Sequence, residues 1–400
     1  MVNVKERYKA AIAQFFNLKK TQISLYWKGR VGLFALLANM EIKKGDEVIL
    51  PAFTCVVVPN AILYLGAKPI YVDIDPHTFN INPALVAAKI TDRTKLIIAQ
   101  NTFGLSSDLD ALLAIAQKNK LKIIEDCTHG FGGTYKNKKN GTVAEAAFFS
   151  AQWNKTFSTG IGGFVICKNE DLAKKIANFE NTLTEPSFLK NQQLKAQLFV
   201  RNKLLPPALY WPAIKLYRFL SKNNIITGSS QGAELTDIQM PENYLLGSST
   251  VQAKQGLYEI ENIEKNLQHR QKIAALYQAA FTTMGFAKVV EPENVHHTFI
   301  QFPFLVKDRA KMLALAAAER ISLNDWFISP IHPITENWEQ WHYKAGSNPI
   351  AEKISQHILN LPTALTISEK EAQRIIAFLE KNKEQLIDQQ QLGLEGIVDR

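Results

Sequence analysis

One lysine stands inside a run of small polar residues and glycines. In "FFSAQWNKTFSTGIGGFV", residues 148–165, Lys155 is surrounded by Ser150, Asn154, Thr156, Ser158 and Thr159, and Gly160, Gly162 and Gly163 follow. A lysine amine loses its charge readily when buried, and the neutral amine is a nucleophile. Upstream, "LKIIEDCTHGFGG" carries an apolar run into Glu125 and Asp126. A carboxylate at the mouth of a buried strand calls for a cation. Further upstream, "YWKGRVGLFALL" places Gly29 where a helix opens. A helix N-terminus offers backbone N–H groups and a favourable dipole to an anion such as phosphate. Arg30 beside it adds a charge-assisted contact.

Amine, carboxylate and phosphate cradle together suit pyridoxal phosphate. The carboxylate keeps the pyridine nitrogen protonated, so that the ring acts as an electron sink. The lysine holds the aldehyde as a Schiff base and shuttles protons once an amino donor releases it. Each residue also has a plainer reading. Asp126 could cap a helix or join a structural ion pair, Lys155 could be a solvated loop cation, and Gly29 could be an N-cap. A Schiff-base aldolase would use the lysine too, but would leave Asp126 without a cation. The order of the three features along the chain favours the cofactor reading, and the glycines would let a ring and phosphate approach the lysine loop closely.

The elements that must position these residues alternate. The spacing predicts helices in "GLFALLANM", "VVVPNAILYLG" and "DLDALLAIAQKN", and strands in "DEVILPA", "KPIYVDI", "KLIIAQ", "LKIIED", "AAFFSA" and "GGFVIC". Short apolar strands between helices indicate an α/β domain with a mostly parallel sheet covered on both faces. Its ligands belong at the carboxyl ends of the strands. The rhythm breaks between about 185 and 247. From about 250 a long helix is predicted over "VQAKQGLYEIENIEKNLQHRQKIAALYQAAF", then a strand in "TFIQFPFLV", a helix in "DRAKMLALAAAER", and a last helix opened by a capping box from Ser368 to Glu371. The final "QQQLGLEGIVDR" is expected to fray. This divides the chain into a large α/β domain, 1–250, and a smaller C-terminal α+β domain, 251–400.

The totals are those of an ordinary soluble globular protein. The chain has 400 residues, 46% hydrophobic and 21% charged, in the ordinary globular range. No apolar run approaches the roughly 18 residues of a membrane span, and the N-terminus lacks a signal-peptide pattern. Three cysteines, Cys55, Cys127 and Cys167, make no disulfide framework and show no metal-ligand spacing. A reducing, cytoplasmic setting is expected. The net charge of +9 comes without a zinc finger, an RNP-type motif or a basic stripe, so nucleic acid is not an expected partner.

Over most of its length the sequence resembles the DegT-like family of sugar-nucleotide aminotransferases, pyridoxal-phosphate enzymes of the aspartate-aminotransferase fold. The segments that carry the likeness are "KKGDEVILPAFTCVVVPNAILYLGAKPIYVDIDPHTFNIN", "IEDCTHGFGGTYKNKKNG", "FSAQWNKTFSTGIGG" and "NPIAEKISQHILNLP". The resemblance implies that Lys155 carries the cofactor and that Asp126 pairs with its ring nitrogen. It puts His129 near the ring's 3-hydroxyl and Ser150 at the phosphate. Gly29 and Arg30 take the place of the family's "SGT" phosphate turn. Cys55 stands where many members stack an aromatic ring. "GIGG" replaces the family's "GEGG", and Asn243, Tyr244, Gln252 and Ala253 keep only part of its "GYNYRM" segment, which reaches into the partner subunit's site.

By the same resemblance the chain is expected to be a homodimeric transaminase. It would move an amino group, from glutamate, to a nucleotide-linked keto-sugar for surface polysaccharide or related glycan biosynthesis. A dehydratase of the family would carry histidine in place of Lys155. A catalytically silent member would bind a partner or a membrane instead. The segment "FVRNKLLPPALYWPAIKLYRFL", within residues 199–222 of an inserted region 185–247, mixes aromatic and basic residues. That pattern suits peripheral membrane contact, and equally a dimer interface or a lid.

Overall fold

The computed structural model describes residues 3–201 and 233–393. The aromatic and basic segment therefore lies, beyond Arg201, outside the described residues. A seven-stranded sheet forms the centre, in the spatial order 23–26, 163–167, 146–150, 122–126, 94–100, 47–51, 68–72. The five strands from 146–150 to 68–72 pair in parallel. Gly163–Cys167 runs antiparallel to both its neighbours. Buried helices cover the sheet, as the continuous apolar strands require. The fold is the α/β architecture expected, with a mostly parallel sheet and a smaller α+β portion.

All the predicted strands of this sheet form. Their carboxyl ends deliver Asp73, Asn101, Asp126 and Ser150 to one edge. The helix Gly29–Asn39 lies on the sheet beside that edge, with every residue from Gly29 to Leu37 buried. Small residues permit this approach. A Cβ on Gly32 would stand 2.8 Å from Val165 Cγ2, and one on Gly29 2.7 Å from the Phe149 carbonyl oxygen.

The C-terminal part builds a three-stranded antiparallel sheet in the order 358–362, 301–306, 386–387. Helices Ile263–Thr283, Arg309–Ala318 and Glu369–Lys381 contribute to its apolar core. The chain also returns to the first domain. Phe327, Ile331, Trp341, Tyr343 and Ile350 join the core that holds Val48, Leu50 and Leu96. Asp73 caps the helix Pro349–His357, accepting hydrogen bonds from the Ile350 and Ala351 N–H groups at 2.9 and 2.8 Å. Helix Thr250–Glu261 packs on Val4–Phe16, so closely that a Cβ on Gly256 would stand 2.4 Å from the Tyr8 ring.

Three local expectations are corrected. The long helix predicted from about 250 is two helices, Thr250–Glu261 and Ile263–Thr283, parted at Asn262. The Asn262 side chain donates to the Tyr258 carbonyl at 2.8 Å, a local bond that competes with helix continuation. At Ser368 only half the capping box forms. Ser368 Oγ accepts from Glu371 N at 3.1 Å, while the Glu371 carboxylate is taken by Arg374 at 2.6 Å. Of the final segment 389–400, residues 389–393 do not fray, since Gln389 donates to the Pro76 carbonyl at 2.6 Å and Leu392 is buried; residues 394–400 lie outside the described residues.

Candidate active site

Residues 148–165 form a strand, a loop and a second strand. The loop is closed at its neck by Ala151 N–H to the Gly162 carbonyl at 2.8 Å and Thr159 N–H to the Ala151 carbonyl at 2.9 Å. Its small polar residues mostly serve the loop itself. Thr159 Oγ1 donates to the Ile161 carbonyl at 2.8 Å, and Ser158 Oγ accepts from Arg201 at 3.0 Å. Two later side chains lock it from outside. Asn266 donates to the Thr156 carbonyl at 2.6 Å, and Gln252 donates to the carbonyls of Ile161 and Trp27 at 2.7 and 3.0 Å.

Lys155 projects from this loop toward the sheet edge, partly buried. Burial lowers its amine pKa to about 8; the charges of Asp126 and Cys55 oppose the shift, and Arg30 adds to it. At pH 7 roughly one such amine in ten is neutral, against roughly one in three thousand for an ordinary lysine. Its Nζ stands 4.8 Å from the centroid of the Trp326 ring.

Glu125 and Asp126 separate by strand alternation. Glu125 is fully buried. It accepts the N–H groups of Val143 and Ala144 at 2.9 Å and of Gly141 at 2.8 Å, and so holds a turn rather than a ligand. Asp126 faces the lysine side. Its Oδ1 accepts the Thr128 N–H at 2.9 Å. Burial raises its pKa, while the Thr128 hydrogen bonds and the Lys155 charge lower it. A buried carboxylate in this position gains from a cationic ligand.

His129 is buried, and its Nδ1 accepts the Phe103 N–H at 3.3 Å. That bond leaves Nε2 as the donor nitrogen. Burial, Lys155 and His332 hold its pKa well below 6.5, so the ring is neutral. It lies parallel to Trp326, with 5.0 Å between centroids and 9° between planes.

Gly29 and Ser150, the residues expected at a phosphate, lie side by side. A Cβ on Gly29 would stand 3.1 Å from Ser150 Cα, and one on Gly163 would stand 2.2 Å from Gly29 Cα. The glycine expected to admit a ligand thus admits the helix terminus itself. No side chain caps that terminus, which leaves first-turn N–H groups for an anion. The Arg30 side chain does something the sequence did not foretell: its Nη1 pairs with Glu234 Oε1 at 2.5 Å. Lys28 Nζ is 3.7 Å from Glu234 Oε2, and burial together with Arg30 lowers the Lys28 amine to about 8. Cys55 sits in a two-residue strand, Thr54–Cys55, paired in parallel with Ile331–His332.

These groups fit pyridoxal phosphate: an amine for the aldehyde, a buried carboxylate for the ring nitrogen, and an uncapped helix terminus walled by glycines for the phosphate. Sequence reasoning missed Trp326, His332, Glu234 and Lys28. All but Lys28 lie far along the chain from the lysine loop, and no local pattern marks them.

Fold and site together define a pyridoxal-phosphate-dependent transaminase of fold type I. The sequence matches the DegT/DnrJ/EryC1/StrS aminotransferase family over residues 4–199 and 236–380, and the chain belongs to that family. It is similar to a GDP-perosamine synthase of Caulobacter vibrioides, 27% identical over 88% of this chain and 83% of the relative. A UDP-2-acetamido-2-deoxy-3-oxo-D-glucuronate aminotransferase of Pseudomonas aeruginosa is 44% identical over 33% of this chain and 37% of its own. Among solved structures, NtdA of Bacillus subtilis with bound pyridoxamine phosphate matches with a TM-score of 0.72 and 23% identity, covering 96% of this chain and 77% of its own.

Proposed function

We propose that the enzyme moves an amino group from glutamate to a nucleotide-linked keto-sugar, for surface polysaccharide or related glycan biosynthesis. The observation that carries this reading is Lys155, whose amine pKa burial lowers to about 8, sharing one sheet edge with buried Asp126. The first two relatives named above are called after nucleotide-linked sugars, which supports the acceptor class. Pyridoxal phosphate supplies the aldehyde that takes up the donor's amine and the ring that draws electrons from the bond being broken.

The chain's own residues do the rest. Lys155 Nζ would hold the cofactor through its aldehyde and would serve as the proton carrier beside it. Asp126 stays ionised against the ring nitrogen. His129, neutral, would have its Nε2–H free to donate to the ring's oxygen. Ser150 and the N–H groups at Gly29 and Arg30 receive the phosphate. Homodimer assembly and a cytoplasmic setting belong to the same proposal. Cys55, Cys127 and Cys167 are free thiols, which suits a reducing compartment, and no helix among the described residues is long and apolar enough to cross a membrane.

The test is a two-stage assay on the purified protein loaded with cofactor. Glutamate should bleach the visible band and release 2-oxoglutarate. GDP- and UDP-linked keto-sugars should then restore the band and yield an amino sugar. Release of 2-oxoglutarate with turnover of free keto-sugars alone would refute the nucleotide-linked acceptor. Bleaching by another donor, with none by glutamate, would refute the donor.

A further inference from the structure

We propose that Trp326 is the wall against which the cofactor ring packs, a positioning residue supplied from the far end of the chain. The Lys155 Nζ lies 4.8 Å from its ring centroid. A planar group bonded to that nitrogen can lie along the indole within stacking distance.

The indole is held in place beforehand. It is stacked on His129, and it lies 14° from the plane of Phe327 with 6.4 Å between centroids. Phe327 is buried, set edge-on to Phe53 at 5.0 Å. A few residues on, Ile331–His332 pairs with Thr54–Cys55 and fixes the segment to the first domain. Phe327 is thus a buried anchor, whereas Trp326 beside it remains partly open. An indole left partly open over a reactive amine is a surface for a ligand to cover.

The electronics agree with the geometry. A pyridine ring kept protonated by Asp126 is electron-poor, and the indole face is electron-rich, so stacking is favoured beyond the area it buries. Cys55, on the neighbouring two-residue strand, offers a thiol and no ring. Ordering the indole in advance also removes an entropic cost from cofactor binding.

The experiment is a pyridoxal-phosphate titration of the apo-protein, followed by indole emission and by equilibrium dialysis, for wild type, Trp326→Phe and Trp326→Ala. The chain has six tryptophans, so the emission of Trp326 is taken as the difference between wild type and Trp326→Phe. That difference should be quenched as cofactor binds. The dissociation constant should rise about tenfold in Trp326→Ala, the scale of one lost aromatic stack, and return to within about threefold in Trp326→Phe. Circular dichroism identical to wild type would show that Trp326→Ala keeps its fold. Unchanged affinity in Trp326→Ala, or a difference emission indifferent to cofactor, would overturn the proposal. Both readouts concern cofactor binding alone, so failure of the sugar or donor assignment would leave them untouched.

Discussion

Arg30 and Glu234 form an ion pair of 2.5 Å at the first turn of helix Gly29–Asn39, with side-chain exposures of only 4% and 8%. Lys28 approaches the same carboxylate, so one anion serves two cations beside a helix N-terminus. Removing one member of such a pair strands a buried charge and costs about 3–5 kcal/mol. Glu234→Gln should therefore destabilise the apo-protein by about 3 kcal/mol in urea unfolding. Phosphate, taking the place of the lost anion, should recover part of that loss. The double variant Arg30→Met with Glu234→Gln should lose less than the sum of the single losses. Equal destabilisation with and without phosphate would show that the two cations do not face the anion site.

Glu125 and Asp126 are neighbours with opposite tasks. Asp126→Asn should bind cofactor and keep its thermal stability, while kcat falls roughly 100-fold or more, the scale of a lost electrostatic partner. Glu125→Gln replaces one acceptor oxygen by an amide that cannot accept from the turn at Gly141–Ala144. It should cost about 1–3 kcal/mol of stability and leave kcat near wild type. Calorimetry and steady-state rates on both variants decide the matter, and exchanged outcomes would reverse the two roles.

Capture of the cofactor requires neutral Lys155. With its pKa at about 8, the rate of band formation should climb about tenfold per pH unit below 8 and level off above it. Stopped-flow absorbance from pH 6 to 10 reads this directly. A rate that keeps climbing to pH 10 would mean an ordinary, solvated lysine. Lys155→Ala should show no covalent band and no transamination.

Burial keeps three histidines neutral: His129 well below 6.5, His332 at about 4 and His297 at about 3. The unfolded chain takes up these protons near pH 6.5 and the native chain only further down. Between those limits the unfolded state holds more protons, so native stability falls as pH drops. Each histidine adds about 1.4 kcal/mol per pH unit to that slope. The buried acids Glu125 and Asp126, whose pKa values burial raises, oppose it above their ordinary carboxylate pKa values. His297→Asn keeps an acceptor for the Phe299 N–H, which His297 Nδ1 now accepts at 2.9 Å. It should flatten the acid limb between pH 6 and 4 by about 1.4 kcal/mol per unit. An unaltered limb in urea titrations would show that His297 titrates normally.

The sequence by itself determined the alternation of helix and strand, because short apolar strands and helical spacing are local patterns. It also determined which residues stand at the carboxyl ends of strands, and so the candidacy of Asp126 and Ser150, and it placed Lys155 in the loop that follows. Period two along Lys122–Asp126 already implied that Glu125 and Asp126 face opposite ways, but which face met the lysine was a matter of packing. Tertiary structure alone decided the partners. Arg30 turned to Glu234 because a buried guanidinium needs a nearby carboxylate, and Glu234 is brought there by long-range folding. Trp326 reached Lys155 because Ile331–His332 pairs with Thr54–Cys55, a contact that no spacing records. Local order is written in short-range pattern. The contacts that shape this site join segments distant in sequence, and they exist only once both domains have packed.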